Sequence, residues 1–151
     1  NILCEYRLHS RITVSGHSSI AINHGTVLES KAPVTNLSMS HLIIKSRFGE
    51  GKDDWIKIYR CAKPGSGKKA ARWTKENYEN TNNRYLVTLN LKSKRFTYCT
   101  KIIYQAYKEG VSQNAVTDHG MYIISPYALK DNFTRRIPLK LVETYQNGYS
   151  I

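Results

Sequence analysis

The sequence contains few cysteines, and their number and spacing argue against two common kinds of stabilised site. Its 151 residues include three, which are Cys4, Cys61 and Cys99. An odd number cannot close into a complete set of disulfides, so no disulfide framework is expected. No two cysteines have the CxxC spacing of zinc sites, and the histidines do not cluster with them. We therefore expect no metal cofactor.

Long apolar runs are also missing. No window of about 18 consecutive apolar residues occurs, so we expect no transmembrane segment. No secretory signal is recognisable in the first residues. Because the chain starts with Asn1 rather than Met, we expect that the natural N-terminus has been removed.

Acidic residues are scarce. There are 11 Asp and Glu against 23 Lys and Arg, which gives a formal net charge of +12. Such an excess predicts attraction to anionic partners such as nucleic acid, acidic lipid or anionic cell-wall polymer. A solvated surface rich in lysine would give the same composition. We expect the basic stretches 63–75 and 92–95 to form a rim that attracts an anionic substrate or surface.

The length suits one domain, spanning residues 1–151. The apolar pattern predicts an α+β fold with a mostly antiparallel sheet. Residues 18–30, SSIAINHGTVLES, predict a β-hairpin, and 53–61 and 84–91 predict further strands.

Two helices are predicted, at about 66–79 and at 99–110. The first is expected to end by Asn82 and Asn83. The second carries an apolar stripe at helical spacing, formed by Ile102, Ile103, Ala106 and Tyr107. The tail from Pro126 is expected to be irregular, with one short apolar run at 137–142.

Cys99 lies at the N-terminal end of the second predicted helix. The unpaired N–H groups and the dipole at a helix N-terminus favour an anion, which lowers a thiol pKa and increases the thiolate fraction. The same N–H groups can hold a developing oxyanion. A free cysteine is, however, more commonly a small buried apolar side chain. Both interpretations, nucleophile and packing residue, stay open at this point.

A nucleophilic cysteine needs a base, and His17 is the candidate whose position a sheet would fix. The other histidines fall in segments expected to be turns, loops or element ends, and they are His9, His24, His41 and His119. Glu29 ends the second strand of the hairpin, so the fold-back brings it to the edge at which His17 lies. A carboxylate there can orient an imidazole. Each residue can equally be structural, as a strand-end histidine bonded to backbone and as a solvated carboxylate.

Two segments resemble a known family of papain-fold enzymes. Residues 16–30, GHSSIAINHGTVLES, resemble the SHVGIYIGDGKVIEA pattern of the YiiX-like, circularly permuted branch of NlpC/P60 enzymes. Residues 98–110, YCTKIIYQAYKEG, resemble that family's YCSELVYEAYKEAG, in which the cysteine is the nucleophile. Histidine precedes cysteine, which is the permuted order, and residues 124–139 resemble a common ending. The resemblance covers roughly residues 10–140.

This resemblance implies a papain-like fold and a thiol hydrolase with Cys99, His17 and Glu29 as its triad. Cys99 would attack a carbonyl carbon, His17 would exchange the proton, and Glu29 would orient the imidazole. No metal or organic cofactor is implied. The chain differs from the family pattern at Ser18, where an apolar residue usually follows the histidine, and at Lys101, where an acid is frequent.

The leading function is therefore hydrolysis of an amide bond in a peptide, an isopeptide or a cell-wall peptide, or of an acyl bond, by a thiol hydrolase of the peptidase or amidase type. The family resemblance favours the bacterial cell envelope, whereas the sequence itself does not determine a location. Members of the wider group act instead on lipid acyl groups, so an acyl hydrolase or acyltransferase is an alternative. A papain-fold protein that has lost activity is another. The net charge and the eleven tyrosines, some beside Lys or Arg, also suit a nucleic-acid-binding protein without enzymatic activity.

Overall fold

Strands and helices both occur in the part of the chain that the computed structural model describes, which is residues 2–7, 17–23, 26–30, 38–41, 54–146 and 149–150. The first five strands are β1 (Ile2–Arg7), β2 (His17–Asn23), β3 (Thr26–Glu29), β4 (Ser38–His41) and β5 (Asp54–Cys61). After them come helix α1 (Ser66–Tyr78), strands β6 (Arg84–Tyr85) and β7 (Phe96–Thr97), helices α2 (Cys99–Gly110) and α3 (Leu129–Asn132), and strands β8 (Leu139–Gln146) and β9 (Tyr149–Ser150).

One antiparallel sheet organises the fold. Its strand order is β4-β3-β2-β1-β5-β8-β9, and every neighbouring pair is antiparallel. The short strands β6 and β7 form a separate parallel pair. The predicted α+β class with a mostly antiparallel sheet is confirmed, as are the strands of the hairpin. The hairpin's turn residues 24 and 25 lie outside the described residues.

The two faces of the sheet bury different clusters because successive strand residues point to opposite sides. Ile20 pairs with Leu28 across β2 and β3, and both belong to the main core with the helices. Val27, the neighbour of Leu28, belongs instead to a second cluster with Ile56 and Ile58. Both clusters are almost fully buried, so the hairpin is held in one register by apolar side chains on each face.

Helix α2 is the most deeply buried helix among the described residues. Every side chain from Cys99 to Tyr107 is buried, including the predicted stripe of Ile102, Ile103, Ala106 and Tyr107. The helix contacts α1 along its length and β2 on the sheet. Because α2 begins at Cys99 and β2 begins at His17, this packing brings the two element starts to the same side of the core.

The strand predicted at 84–91 is wrong beyond its first two residues. Only Arg84 and Tyr85 pair with a strand, and the following apolar residues do not face a core. Leu86, Val87 and Leu89 are exposed, whereas Leu91 is partly buried against the main core. Alternation of apolar residues predicted a strand here, but no neighbouring strand continues past β7 to bury that face.

The tail predicted to be irregular from Pro126 is also different. It contains α3 and the strand β8, which pairs with β5 along its whole length apart from one bulge between Ile58 and Tyr59. The apolar run was therefore the start of a sheet strand and not an isolated patch. Helix α1 spans Ser66–Tyr78, close to the predicted 66–79, and it ends because Glu79 takes an extended conformation at ψ 129°.

The contact between α1 and α2 depends on a glycine. A Cβ at Gly110 would lie 2.6 Å from the Cβ of Trp73, closer than packed carbon atoms can approach. We expect Gly110→Ala to lower the free energy of unfolding by about 1–3 kcal/mol, since the helices must separate or Trp73 must change rotamer. Urea denaturation measures the change.

Gly67 in α1 is the matched control, because nothing lies within 4 Å of a Cβ built there. Gly67→Ala should leave stability unchanged or raise it by roughly 0.5–1 kcal/mol through helix propensity. Equal destabilisation by both substitutions would contradict the close approach at Gly110.

Candidate active site

Cys99 is the first residue of α2, at a sharp passage from strand to helix. Strand β7 ends at Thr97, and Tyr98, the residue before the helix, has extended backbone at φ −147°. No side chain caps the helix N-terminus among the described residues. The thiol is buried, with 7% of the residue exposed. The sulfur thus lies where unpaired helical N–H groups concentrate.

The structure brings the Cys99 thiol and the His17 imidazole into hydrogen-bond contact. Their positions in the chain are far apart, and the contact arises because β2 carries His17 to the start of α2. His17 is half-buried, and its backbone pairs with Glu5 of β1. The histidine is therefore fixed by the sheet, as the sequence predicts for it. That the pair is catalytic stays a prediction.

Opposing effects set the pKa of Cys99. Burial raises the pKa of the thiol, but the hydrogen bond from His17, the charge of its imidazolium and the nearby N–H and hydroxyl of Ser18 outweigh burial, so the pKa lies below its ordinary value. The net direction favours the thiolate. A lowered pKa in a buried thiol is typical of an activated nucleophile and not of a packing cysteine.

Ser18 is a site residue that the sequence marks only as a departure from the family pattern. Its backbone N–H and its hydroxyl both lie where they favour negative charge on the Cys99 sulfur. The residue is 1% exposed, and within the described residues its Oγ has no hydrogen bond of ordinary geometry. A buried hydroxyl normally has a partner. Ser18 therefore keeps a donor available beside the sulfur, and its replacement of the family's usual apolar residue is the signal that could have identified it.

Glu29 can be placed only by its backbone. It ends β3, pairs with Ser38 of β4 and follows Leu28, which pairs with Ile20 of β2. Its side chain lies outside the described part of the structure, so its orienting role stays a prediction.

The other predicted histidines do not contribute to this contact where they are described. His119 lies in an exposed loop at φ 52°, with its Nε2 3.0 Å from the carbonyl oxygen of Asp131. The backbone of His41 ends β4, and His9 and His24 lie outside the described residues. Cys61 is half-buried, and its thiol contacts the carbonyl of Lys63 at 3.9 Å.

Tyrosines and a loop border the thiol. The hydroxyl of Tyr98 accepts a hydrogen bond from the N–H of Ile124 at 3.1 Å, and Thr100 Oγ1 donates to the carbonyl of Ile124 at 2.5 Å. Residues on both sides of Cys99 therefore hold the same loop residue. Burial raises the pKa of Tyr85, and negative charge on the nearby Cys99 adds to it.

Lys101 supports the strand-to-helix passage from inside the fold. The residue is fully buried, and its Nζ donates to the carbonyl of Phe96 at 2.7 Å. This bond connects the chain two residues after Cys99 to the chain three residues before it. Burial lowers the pKa of Lys101 to about 8. We infer that Lys101 is a positioning residue.

The described residues contain no group of three or more His, Cys, Asp or Glu side chains placed to hold a metal ion. They also contain no helix with the length and apolar character needed to cross a bilayer. From the stretch 63–75, Lys68, Arg72 and Lys75 line a groove beside residues 21–23. That the two basic stretches attract an anionic substrate or surface stays a prediction.

The thiolate should make Cys99 the reactive cysteine near neutral pH. We expect alkylation of the folded protein at pH 6.5 to modify Cys99 faster than Cys61, as measured by mass spectrometry of the digested protein. His17→Ala should slow the Cys99 reaction at pH 6.5 and shift its pH profile upward, because burial then acts without the opposing imidazolium. An unchanged profile would show that His17 does not stabilise the thiolate.

Lys101 should give the folded protein a measurable pH dependence. Between pH 8 and about 10, the unfolded lysine binds a proton that the folded one does not, so stability rises with pH over that window. In Lys101→Met that contribution should be missing, so the stability of wild type relative to the variant should increase as the pH rises from 8 to 10. Chemical denaturation at each pH checks this. A difference that is constant over the window would contradict it.

Comparison with known proteins places the chain in a family. The family model described as "lipoprotein N-acylation protein LnsA-like" matches residues 11–145. An uncharacterized 30.3 kDa protein of Bacillus thuringiensis is 33% identical over 99 residues, which cover 60% of this chain and 37% of that relative. The match thus spans little more than a third of the relative. No solved structure matches the chain significantly.

Proposed function

The chain belongs to the lipoprotein N-acylation protein LnsA-like family, and we propose that it is a thiol acyltransferase or acyl hydrolase in which Cys99 carries the acyl group. The observation that carries this proposal is the hydrogen bond between Cys99 and His17 at the N-terminus of α2, with the lowered thiol pKa that results. Permuted papain-like topology is part of the proposal, on the resemblance of the segments around His17 and Cys99.

The family description changes which bond is favoured as substrate. The sequence motifs alone favoured a peptide amide, whereas acylation chemistry favours an acyl ester as the donor. Either substrate would form a thioester with Cys99 as its intermediate, so the geometry of the site suits both. We assign the ester as donor because the family description names acylation. No observation in the described residues specifically supports nucleic-acid binding. A nucleic-acid-binding protein would not need a buried thiol in contact with a histidine.

In the first half-reaction the Cys99 thiolate attacks the ester carbonyl carbon, and a C–S bond forms. The electron pair of the carbonyl moves to its oxygen, which the N–H groups at the start of α2 stabilise. When the carbonyl reforms, the ester C–O bond breaks, and His17 gives its proton to the departing alkoxide. The product is a thioester on Cys99 and a free alcohol.

In the second half-reaction an amine or a water molecule attacks the thioester carbonyl. His17 takes the proton of the attacking group, the C–S bond breaks, and the Cys99 thiolate is restored. An amine gives an amide and completes N-acylation, whereas water gives a carboxylic acid and completes hydrolysis. Glu29 is the residue we assign to orient the imidazole throughout, and Ser18 favours the thiolate at the start and end of the cycle.

The acyl-enzyme should be directly observable. We expect incubation with detergent-dispersed phosphatidylglycerol to raise the intact mass of the protein by one acyl chain, and hydroxylamine at neutral pH to remove it, because thioesters are cleaved under those conditions. Cys99→Ser should not form this hydroxylamine-labile adduct, and His17→Gln should form it about 10²–10⁴-fold more slowly.

Cys61→Ser is the matched control, because Cys61 is a half-buried thiol outside the described site, and it should acylate like wild type. A protein that stays unmodified by phospholipid, yet cleaves a cell-wall peptide in a Cys99-dependent manner, would replace the acyl proposal with the peptidase. Modification at Cys61 instead of Cys99 would contradict the proposed nucleophile.

A further inference from the structure

Two segments beside the candidate site expose apolar side chains. The exposed residues are Leu86, Val87 and Leu89 in the first segment and Met121, Tyr122, Ile123 and Tyr127 in the second. Leu89 is 66% exposed and Tyr122 is 68% exposed. Single exposed apolar residues are ordinary on a protein surface, but runs of them mark an interaction site.

Hydrogen bonds attach both segments to the residues around Cys99. The N–H of Leu86 donates to the carbonyl of Thr97 at 3.0 Å. Ile124, which follows the exposed run of the second segment, is bonded to Tyr98 and to Thr100. Leu86 and Ile124 are thus each bonded to a residue within two positions of Cys99.

Cations prevail around the first segment, whereas the second segment lies between Asp118 and Asp131. The sequence has no Asp or Glu between Glu79 and Glu109, and none between Asp118 and Asp131. Arg84, Lys92 and Arg95 are exposed in the first of these stretches. Apolar side chains beside cations, as Leu86 and Val87 lie beside Arg84 in the first segment, form the pattern of proteins that insert shallowly into an anionic lipid surface. A tyrosine such as Tyr122 suits the headgroup level, where one end is apolar and the other is wet.

We propose that segments 86–89 and 121–127, which are bonded to the residues around Cys99, form a docking surface for an anionic lipid bilayer. The proposal rests on the proposed function for the meaning of the docking, which is access to an acyl ester within the bilayer. The choice of occupant rests on charge complementarity at the first segment, since the exposed Arg84 and Arg95 would meet lipid phosphates while the apolar side chains insert between the headgroups.

Vesicle binding tests the docking surface without any chemistry. The full chain should sediment with vesicles of phosphatidylglycerol and phosphatidylcholine, and bind vesicles of phosphatidylcholine alone more weakly. The combined variant Met121→Ser, Tyr122→Ser and Ile123→Ser should lose about tenfold or more in vesicle affinity, because it removes most of the inserted apolar surface. Arg84→Gln, Lys92→Gln and Arg95→Gln together should remove the preference for anionic vesicles.

Two matched controls locate the effect. Leu141 and Val142 on β8 are also exposed apolar residues, so Leu141→Ser with Val142→Ser should bind vesicles like wild type. Lys68→Gln, Lys69→Gln and Arg72→Gln remove an equal number of cations from α1. If the α1 variant loses as much vesicle affinity as the variant Arg84→Gln, Lys92→Gln and Arg95→Gln, docking lies on α1 and the proposal is overturned. Thermal unfolding of each variant confirms that it is folded.

Other outcomes separate the two proposals. A wild-type protein that forms the Cys99 thioester with detergent-dispersed lipid but does not bind vesicles would overturn the docking surface and leave the proposed function standing. Binding to vesicles without any thioester would do the reverse. Gel filtration tests a third outcome. If the wild type is a dimer, and the variant Met121→Ser, Tyr122→Ser and Ile123→Ser is a monomer with unchanged vesicle binding, the surface binds a second copy of the chain and the membrane proposal is overturned.

Discussion

The packing of α2 against β2 is the constraint from which the site follows. The apolar stripe of α2, with Ile102 and Ile103 at its centre, is buried in the same core as Ile20 and Ile22 of β2. The burial of these apolar side chains fixes both the rotation of the helix and the register of the strand. In this arrangement the first residue of the helix and the first residue of the strand meet. The contact of Cys99 with His17 is therefore a by-product of a hydrophobic core.

The electrostatics at Cys99 show why a buried thiol can still be charged. Burial alone disfavours the thiolate, and the imidazole of His17 and the donors of Ser18 reverse that preference. None of these groups needs to move when charge develops on the sulfur, because the sheet fixes their backbone. Preorganised donors of this kind are the usual source of transition-state stabilisation in enzymes.

The sequence predicted the elements whose pattern is local. The hairpin, β5, α1 and α2 each have their own periodicity, and the motif around Cys99 indicated the position of the thiol at a helix start. Residues 84–91 and β8 could not be predicted in the same way. The apolar alternation at 84–91 lacks a neighbouring strand to bury it, whereas β8 is a strand because β5 offers it an edge. Both outcomes depend on partners distant in the chain.

The side-chain contacts of the site were predictable only in part. His17 followed from its place at a strand start and from the family pattern. Ser18 and Lys101 were visible only as departures from that pattern, because nothing in a sequence says which departures face a thiol. Ser18 replaces an apolar residue and lies against the sulfur, whereas Lys101 replaces an acid and points back to Phe96.

The bond from Lys101 to Phe96 has a consequence for how this scaffold can change. It closes the backbone on both sides of Cys99 into a ring, so the nucleophile is held from within the core. The exposed side chains of segments 86–89 and 121–127, such as Leu89 and Tyr122, take no part in that ring. Different residues therefore position the thiol and form the exposed apolar surface. Mutations can change the side chains of segments 86–89 and 121–127 without changing the geometry around Cys99.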